Sequence, residues 1–350
     1  MLGPLAGAAD GTLQSLACRF VQEAGGVIAA RSAAVYEGPW RSFVEWWIER
    51  KLPGTVYDTP PVVVGLYLFS VYTSAAADAV GEGRVRQASG AIHHHFTAVG
   101  APSPSSHSVC QAVRRLAAKH LVPRPVVRDA LSLADLQSLA EHFAPPGAGL
   151  LSLMMCAAIS LMFFGFLRFD ELAEVGVHQD LLVVTESHLE VFIPRSKTDQ
   201  LWKGAWVAVG GIGGPACPVR LVTRLLEQGE YRRQPQAAEE DVGPLLRTVQ
   251  HTAAGGRLQR VTGSLQAPVR SMSYEAFRAR LAAMCAEVGI NKRITPHSMR
   301  IGGNSAAAEA GVPVELRMAH GRWLSPQMVG LYTRRTVDSA IGLTRQMGLH

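Results

Sequence analysis

The sequence predicts a mainly α-helical protein with a small antiparallel β-sheet in its C-terminal domain, and three observations carry that prediction. Apolar residues recur at spacings of three and four along most of the chain. Between about 181 and 209 the period shortens to that of brief strands. A proline-bearing break at 121–130 (LVPRPVVRDA) divides a smaller helical stretch from a larger one.

Composition narrows the class. Of 350 residues, 48% are hydrophobic and 18% charged, which is enough apolar content for packed cores and excludes a disordered chain. A net charge of +6 is modest evidence for a polyanionic partner. Cys18, Cys110, Cys156, Cys217 and Cys285 have neither CxxC nor metal-ligand spacing, so buried thiols in a reducing compartment are expected. No basic segment followed by an apolar core opens the chain, so no signal peptide is expected. The uncharged run 147–167 is long enough to cross a bilayer. Two serines interrupt it and Arg168 and Asp170 end it, which favours a buried core helix over a membrane span.

Taken in order, residues 1–35 are Ala/Gly-rich and read as a flexible leader. Phe43, Trp46 and Trp47 mark an aromatic stripe on a first helix from about Trp40. Thr59-Pro60-Pro61 opens a second helix, Val62 to Thr73, and a third runs from Arg84 to Val99. A fourth, Ser108 to His120, carries Arg114, Arg115 and Lys119, which are either a solvated face or a phosphate-contacting one. His93, His94 and His95 are consecutive and point apart on a helix, so no metal site is expected there. Residues 1–128 hold 12 Lys/Arg against 8 Asp/Glu, most of the positive excess. Beyond the linker come a helix from Ser132 to His142 and a long apolar one from Leu150 to about Val175. Short strands follow at 181–184, 189–193 and 205–209, and helices return from Pro218. A Gly/Gln-rich interruption at 234–266 fits no element.

Three segments concentrate reactive groups. GFLRFDEL (165–172) sets Arg168 at the mouth of a buried helix with Glu171 three residues on; a guanidinium there needs an anion, or Glu171 itself, as partner. TPHSMR (295–300) places Thr295 as N-cap and Pro296 as first helical residue, so His297 and Arg300 share the first turn, where free N–H groups favour an anion. Trp323 precedes Tyr332 by nine residues. Together they suit phosphodiester chemistry without a metal. Two arginines neutralise non-bridging oxygens, a histidine takes the tyrosine proton, and a lysine, Lys197 of PRSKTD (194–199), protonates the leaving oxygen.

In this order the residues resemble the tyrosine recombinase (phage integrase) family, whose catalytic domain carries G-L-R-x-x-E-L, a β-hairpin lysine, H-x-x-R, a histidine or tryptophan, and the tyrosine. Arg168 and Glu171, Lys197, His297 and Arg300, Trp323 and Tyr332 occupy those places, in the style of Cre-like phage enzymes and recombinases of eukaryotic mobile elements. The resemblance implies a two-domain DNA clamp, with a helical core-binding domain at 36–128 and a catalytic domain at 129–350. It also implies site-specific strand cleavage and rejoining through a 3′-phosphotyrosyl intermediate and a Holliday junction, in service of a mobile element or virus. The partners it implies are double-stranded DNA with inverted-repeat sites and a homo-tetramer on that DNA, monomer or dimer off it. No cofactor, metal or membrane is required, and the protein would be intracellular, with DNA. Arg114, Arg115, Lys119, Lys292 and Arg293 are the expected DNA contacts.

Some places stay open. Lys203 competes with Lys197 in the same hairpin, and His320, three residues before Trp323, is a second candidate donor. A relaxing type IB topoisomerase and a catalytically silent DNA-binding derivative are the rival readings.

Overall fold

The computed structural model describes residues 30–121, 129–196, 203–235, 242–252, 255–259, 261, 269–334 and 341. The chain divides into two compact units, 1–126 and 127–350.

The first unit holds four helices: α1 (Ala30–Glu49), α2 (Pro61–Ala77), α3 (Gly83–Ala98) and α4 (Ser108–His120). Helix α1 begins earlier than the aromatic stripe suggested, inside the stretch read as leader. Its stripe does form the core: Phe43 is buried with Val64, Tyr67, Leu68, Ile92 and Phe96, and Trp40 and Trp46 pack against them. Pro61 sits at the start of α2, where its missing N–H costs nothing. Helix α1 packs on α3, and α2 on α4. His95 stacks on Trp40 with ring centroids 4.3 Å apart. Among the described residues no cluster of His, Cys, Asp or Glu could hold a metal.

The second unit is organised around the apolar helix, α6 (Leu150–Phe164), flanked by α5 (Leu133–Phe143), which Ser132 caps. Nearly every α6 side chain is buried, because α5 and helices further along the chain cover it on all sides. At 15 residues it falls short of a bilayer, and no described helix is long and apolar enough to cross a membrane. The continuous helix expected to Val175 is instead broken. Gly165 ends α6, Phe166 turns left-handed (φ 48°), and Arg168 is the N-cap of a short α7, Phe169–Ala173.

Then come β1 (Leu182–Val184), β2 (His188–Ile193) and β3 (Ala205–Gly210), an antiparallel sheet in the order β1-β2-β3. Leu189, Val191 and Ile193 alternate inward with Glu190 outward, which fixes the register Ile193 to Ala205. Helix α8 (Pro218–Gln228) follows. The Gly/Gln-rich stretch contains an unforeseen hairpin, β4 (Val249–Thr252) with β5 (Gly255–Leu258). Last are α9 (Tyr274–Glu287), α10 (Pro296–Glu309), α11 (Val314–Gly321) and α12 (Pro326–Leu331). The four described cysteines are buried and free. The 122–128 part of the expected linker and Lys197 lie outside the described residues.

Candidate active site

Helix α10 brings the site together. Thr295 is its N-cap and Pro296 its first residue, as the sequence indicated, and the Thr295 N–H donates to Ser298 Oγ at 3.0 Å. One turn in, Arg300 is wholly buried, 0% exposed. Gly302 and Gly303 follow because nothing larger fits. A Cβ on Gly302 would overlap the Leu131 carbonyl, and one on Gly303 the Phe163 carbonyl and the Phe166 ring. This close approach lets Arg300 donate from Nη1 to the Phe166 carbonyl and from Nη2 to the Gly321 carbonyl at 2.5 Å. The guanidinium lies 4.5 Å from the centroid of Trp323 and 5.5 Å from that of Tyr332.

Glu171, 2% exposed, is the carboxylate that Arg168, Arg300 and Arg322 share. As the third residue of α7 it reaches back to accept the Arg168 N–H at 2.9 Å, as in a capping box. It also accepts from Arg168 Nη1 at 2.6 Å and from Arg322 Nη2 at 2.8 Å, while Arg300 Nη1 stands off at 3.7 Å. The Arg168–Glu171 ion pair is therefore present together with the wider cluster. Burial opposes ionisation of Glu171, but Arg322, the Arg168 N–H, Arg300 and the Arg168 guanidinium outweigh it and hold the carboxyl below its usual range. Burial, then the charge of Arg168, pushes the Arg300 guanidinium down to about 9 against the pull of Glu171. Burial likewise lowers Arg322.

Tyr332 closes α12 as its C-cap. Its ring is 5.0 Å from that of His297 and 5.3 Å from that of Trp323. The segment is anchored by residues the sequence did not single out. Buried Asn304 donates to the Val329 carbonyl at 3.2 Å and to Thr333 Oγ1 at 3.0 Å, and accepts from Arg317 at 3.0 Å. The Arg334 N–H donates to Ser305 Oγ at 2.8 Å. The run G-G-N-S carried that signal, since a buried Asn must find partners for its amide. Gly321 is required for a different reason: a Cβ there would strike the Trp323 ring.

Arg168, Glu171, His297, Arg300, Trp323 and Tyr332 thus meet in one place, drawn from α7, α10 and the α11–α12 region. His320 borders it: Nε2 lies 2.7 Å from the Phe164 carbonyl, which it can reach only as a donor, and its ring meets Phe166 at 4.7 Å. Burial lowers its pKa, favouring neutral imidazole. Lys203 is exposed just before β3. Of the expected DNA contacts, Lys292 pairs with Asp135 at 2.5 Å, and exposed Arg293 donates its backbone N–H to Asp129 at 2.7 Å. Arg115 and Lys119 are exposed on α4, in the other unit; Arg114 is half-buried there.

Three buried donors at the site have no hydrogen-bond acceptor among the described residues: Arg300 Nε, Arg322 Nε and Trp323 Nε1. A buried N–H without a partner costs about 1–3 kcal/mol. Two of the three, on Arg300 and Trp323, belong to side chains that also contact the Tyr332 ring.

By sequence the chain matches no protein-family profile and no curated protein. By structure it resembles XerH site-specific recombinase bound to palindromic difH substrate in a post-cleavage complex, with TM-score 0.55 and 11% identity over 87% of this chain and 75% of that one. It resembles the Tn1549 transposon integrase in complex with transposon right end DNA, with TM-score 0.51 and 11% identity over 95% and 98%. A lambda integrase dimer bound to a COC′ core site gives TM-score 0.51 and 12% identity over 92% and 95%. The fold is that of the tyrosine recombinases.

Proposed function

We propose that this chain, built on the tyrosine recombinase fold, is a metal- and ATP-independent DNA strand transferase that cuts and rejoins its target through Tyr332. The observation that carries the reading is the pair of unpartnered donors on Arg300 and Trp323 beside the Tyr332 ring. The Tyr332 hydroxyl oxygen attacks the DNA phosphorus, forming a 3′-phosphotyrosyl bond as the bond to the 5′-oxygen breaks. His297 takes the phenolic proton, and Lys197, or Lys203 from the same hairpin, delivers one to the departing 5′-hydroxyl. Arg168, Arg300 and Trp323 bind the non-bridging oxygens as negative charge accumulates. A 5′-hydroxyl from a partner duplex reverses the step and exchanges strands.

Residues 36–128, with Arg114, Arg115 and Lys119, form the core-binding domain of the clamp in this reading. Residues 129–350, with Lys292 and Arg293 on their surface, form the catalytic domain. A tetramer on inverted-repeat DNA, a Holliday-junction intermediate and service to a mobile element follow from the same reading. The transposon and palindromic-site complexes among the structural neighbours support it.

The test is covalent capture from a random pool of nicked duplexes, with loss of the short fragment trapping the intermediate. Attached DNA sharing an inverted repeat, and no attachment by Tyr332→Phe, is the expected result. Attachment without shared sequence would point to a topoisomerase. Retained binding with no attachment by the unaltered chain would leave a silent DNA-binding protein.

A further inference from the structure

Trp323 is preceded by an arginine that the mechanism above does not use. Arg322 adopts φ 55°, the left-handed conformation at the end of α11 where glycine is the favoured residue. A side chain kept there against its backbone preference invites a reason, and its contacts supply one. Arg322 is only 12% exposed, and Nη2 donates to Glu171 Oε2 at 2.8 Å. Nη1 donates to the His320 carbonyl at 2.9 Å, and Nη2 also approaches the Phe166 carbonyl at 3.4 Å. His320, itself tied to the Phe164 carbonyl, gives this arm a fixed footing.

The charges show what the contact accomplishes. Glu171 contributes −1, and Arg168, Arg300 and Arg322 contribute +3 when all are protonated, so the cluster carries +2. A phosphodiester bears −1, and the pentacoordinate species formed when a phenolate adds to it bears −2. Without Arg322, Glu171 Oε2 would keep the Arg168 N–H but lose its guanidinium partner, and Arg300, 3.7 Å away, is the nearest replacement.

We propose that Arg322 is a positioning residue that engages the Glu171 carboxylate and so keeps Arg300 available to a tetrahedral oxyanion. The link to strand transfer rests on the function proposed above; the link to anion binding does not. Arg322 touches Glu171 rather than the reacting atoms and acts through it.

The experiment measures sulfate affinity of the full chain at constant ionic strength by thermal shift, alongside single-turnover DNA attachment. Arg322→Gly relieves the left-handed backbone while removing the guanidinium. It is expected to weaken sulfate binding at least tenfold and to slow attachment more than it weakens DNA binding. In the double variant Arg322→Gly with Glu171→Gln no carboxylate is left to compete, so sulfate affinity should recover to within threefold of the unaltered chain. A role confined to packing would not show that recovery. Arg322→Lys, which leaves one cation beside Glu171, should retain more affinity than the glycine variant and serves if that variant fails to fold. Unchanged sulfate affinity in Arg322→Gly, no recovery in the double variant, or a lysine variant weaker than glycine would each overturn the proposal. If the sulfate pattern holds while the unaltered chain never attaches DNA, the strand-transfer reading falls and the role of Arg322 at an anion site stands.

Discussion

At the scale of single residues, Glu171 decides whether one buried and two half-buried arginines can coexist. Removing one member of a buried ion-pair set costs about 3–5 kcal/mol because the rest keep their charge without a partner. Glu171→Gln should therefore lower unfolding free energy by about that amount at neutral pH. The pH dependence follows from the direction of the shift. The folded-state pKa of Glu171 lies below its ordinary value. Its contribution is thus complete above the unfolded pKa of about 4.3 and disappears as pH falls through the folded value. Urea titrations of both proteins from pH 7 to pH 3 should show the gap constant down to about pH 5 and closing below it. A gap of equal size at pH 3 and pH 7 would remove Glu171 from the centre of the cluster. The spacing of Arg168, Glu171, His297, Arg300, Trp323 and Tyr332 could be read from the sequence because each falls in a short motif. Arg322, Asn304 and Arg317 could not, since each acts through a residue distant along the chain.

At the scale of elements, the decisive contact is α10 against the end of α6. Gly302 and Gly303 allow it, and the left-handed turn at Phe166 presents its carbonyl to Arg300. Gly303→Ala should cost at least about 1–3 kcal/mol, because the new methyl meets backbone at Phe163 and cannot simply push a side chain aside. Equilibrium denaturation measures that cost, and single-turnover attachment should fall with it. Asn304→Ala tests the next residue of α10. Freed from Asn304, the Val329–Thr333 segment holds Tyr332 less firmly, and a misplacement near 1 Å costs about a hundredfold in rate. Attachment should slow towards that extent while duplex affinity changes little; a loss of affinity alone would count against the anchoring role. Several helices were legible from apolar spacing and caps, with α4 found at its predicted limits. The break after Phe164 was not, because the apolar run continues to Leu167 while the backbone turns at Gly165 and Phe166. The β4–β5 hairpin was missed because glycine and glutamine carry no strand periodicity.

At the scale of the whole molecule, the question is where the positive charge works. Residues 1–128 hold the larger part of the net +6, and on α4 the exposed Arg115 and Lys119 lie one helical turn apart. A solvated face and a phosphate-binding face differ in their salt dependence. Each phosphate neutralised by a lysine or arginine releases condensed counterions, so the logarithm of the binding constant falls against the logarithm of salt with a slope of about −0.9 per contact. If both side chains meet phosphate, Arg115→Ala with Lys119→Ala should make that slope shallower by about 1.8, measured by fluorescence anisotropy on one duplex between about 50 and 200 mM salt. Affinity should drop similarly on unrelated duplexes, because phosphate contacts position a protein without reading sequence. An unchanged slope would return α4 to the solvated reading. A changed slope with strong sequence dependence would instead place α4 against base edges.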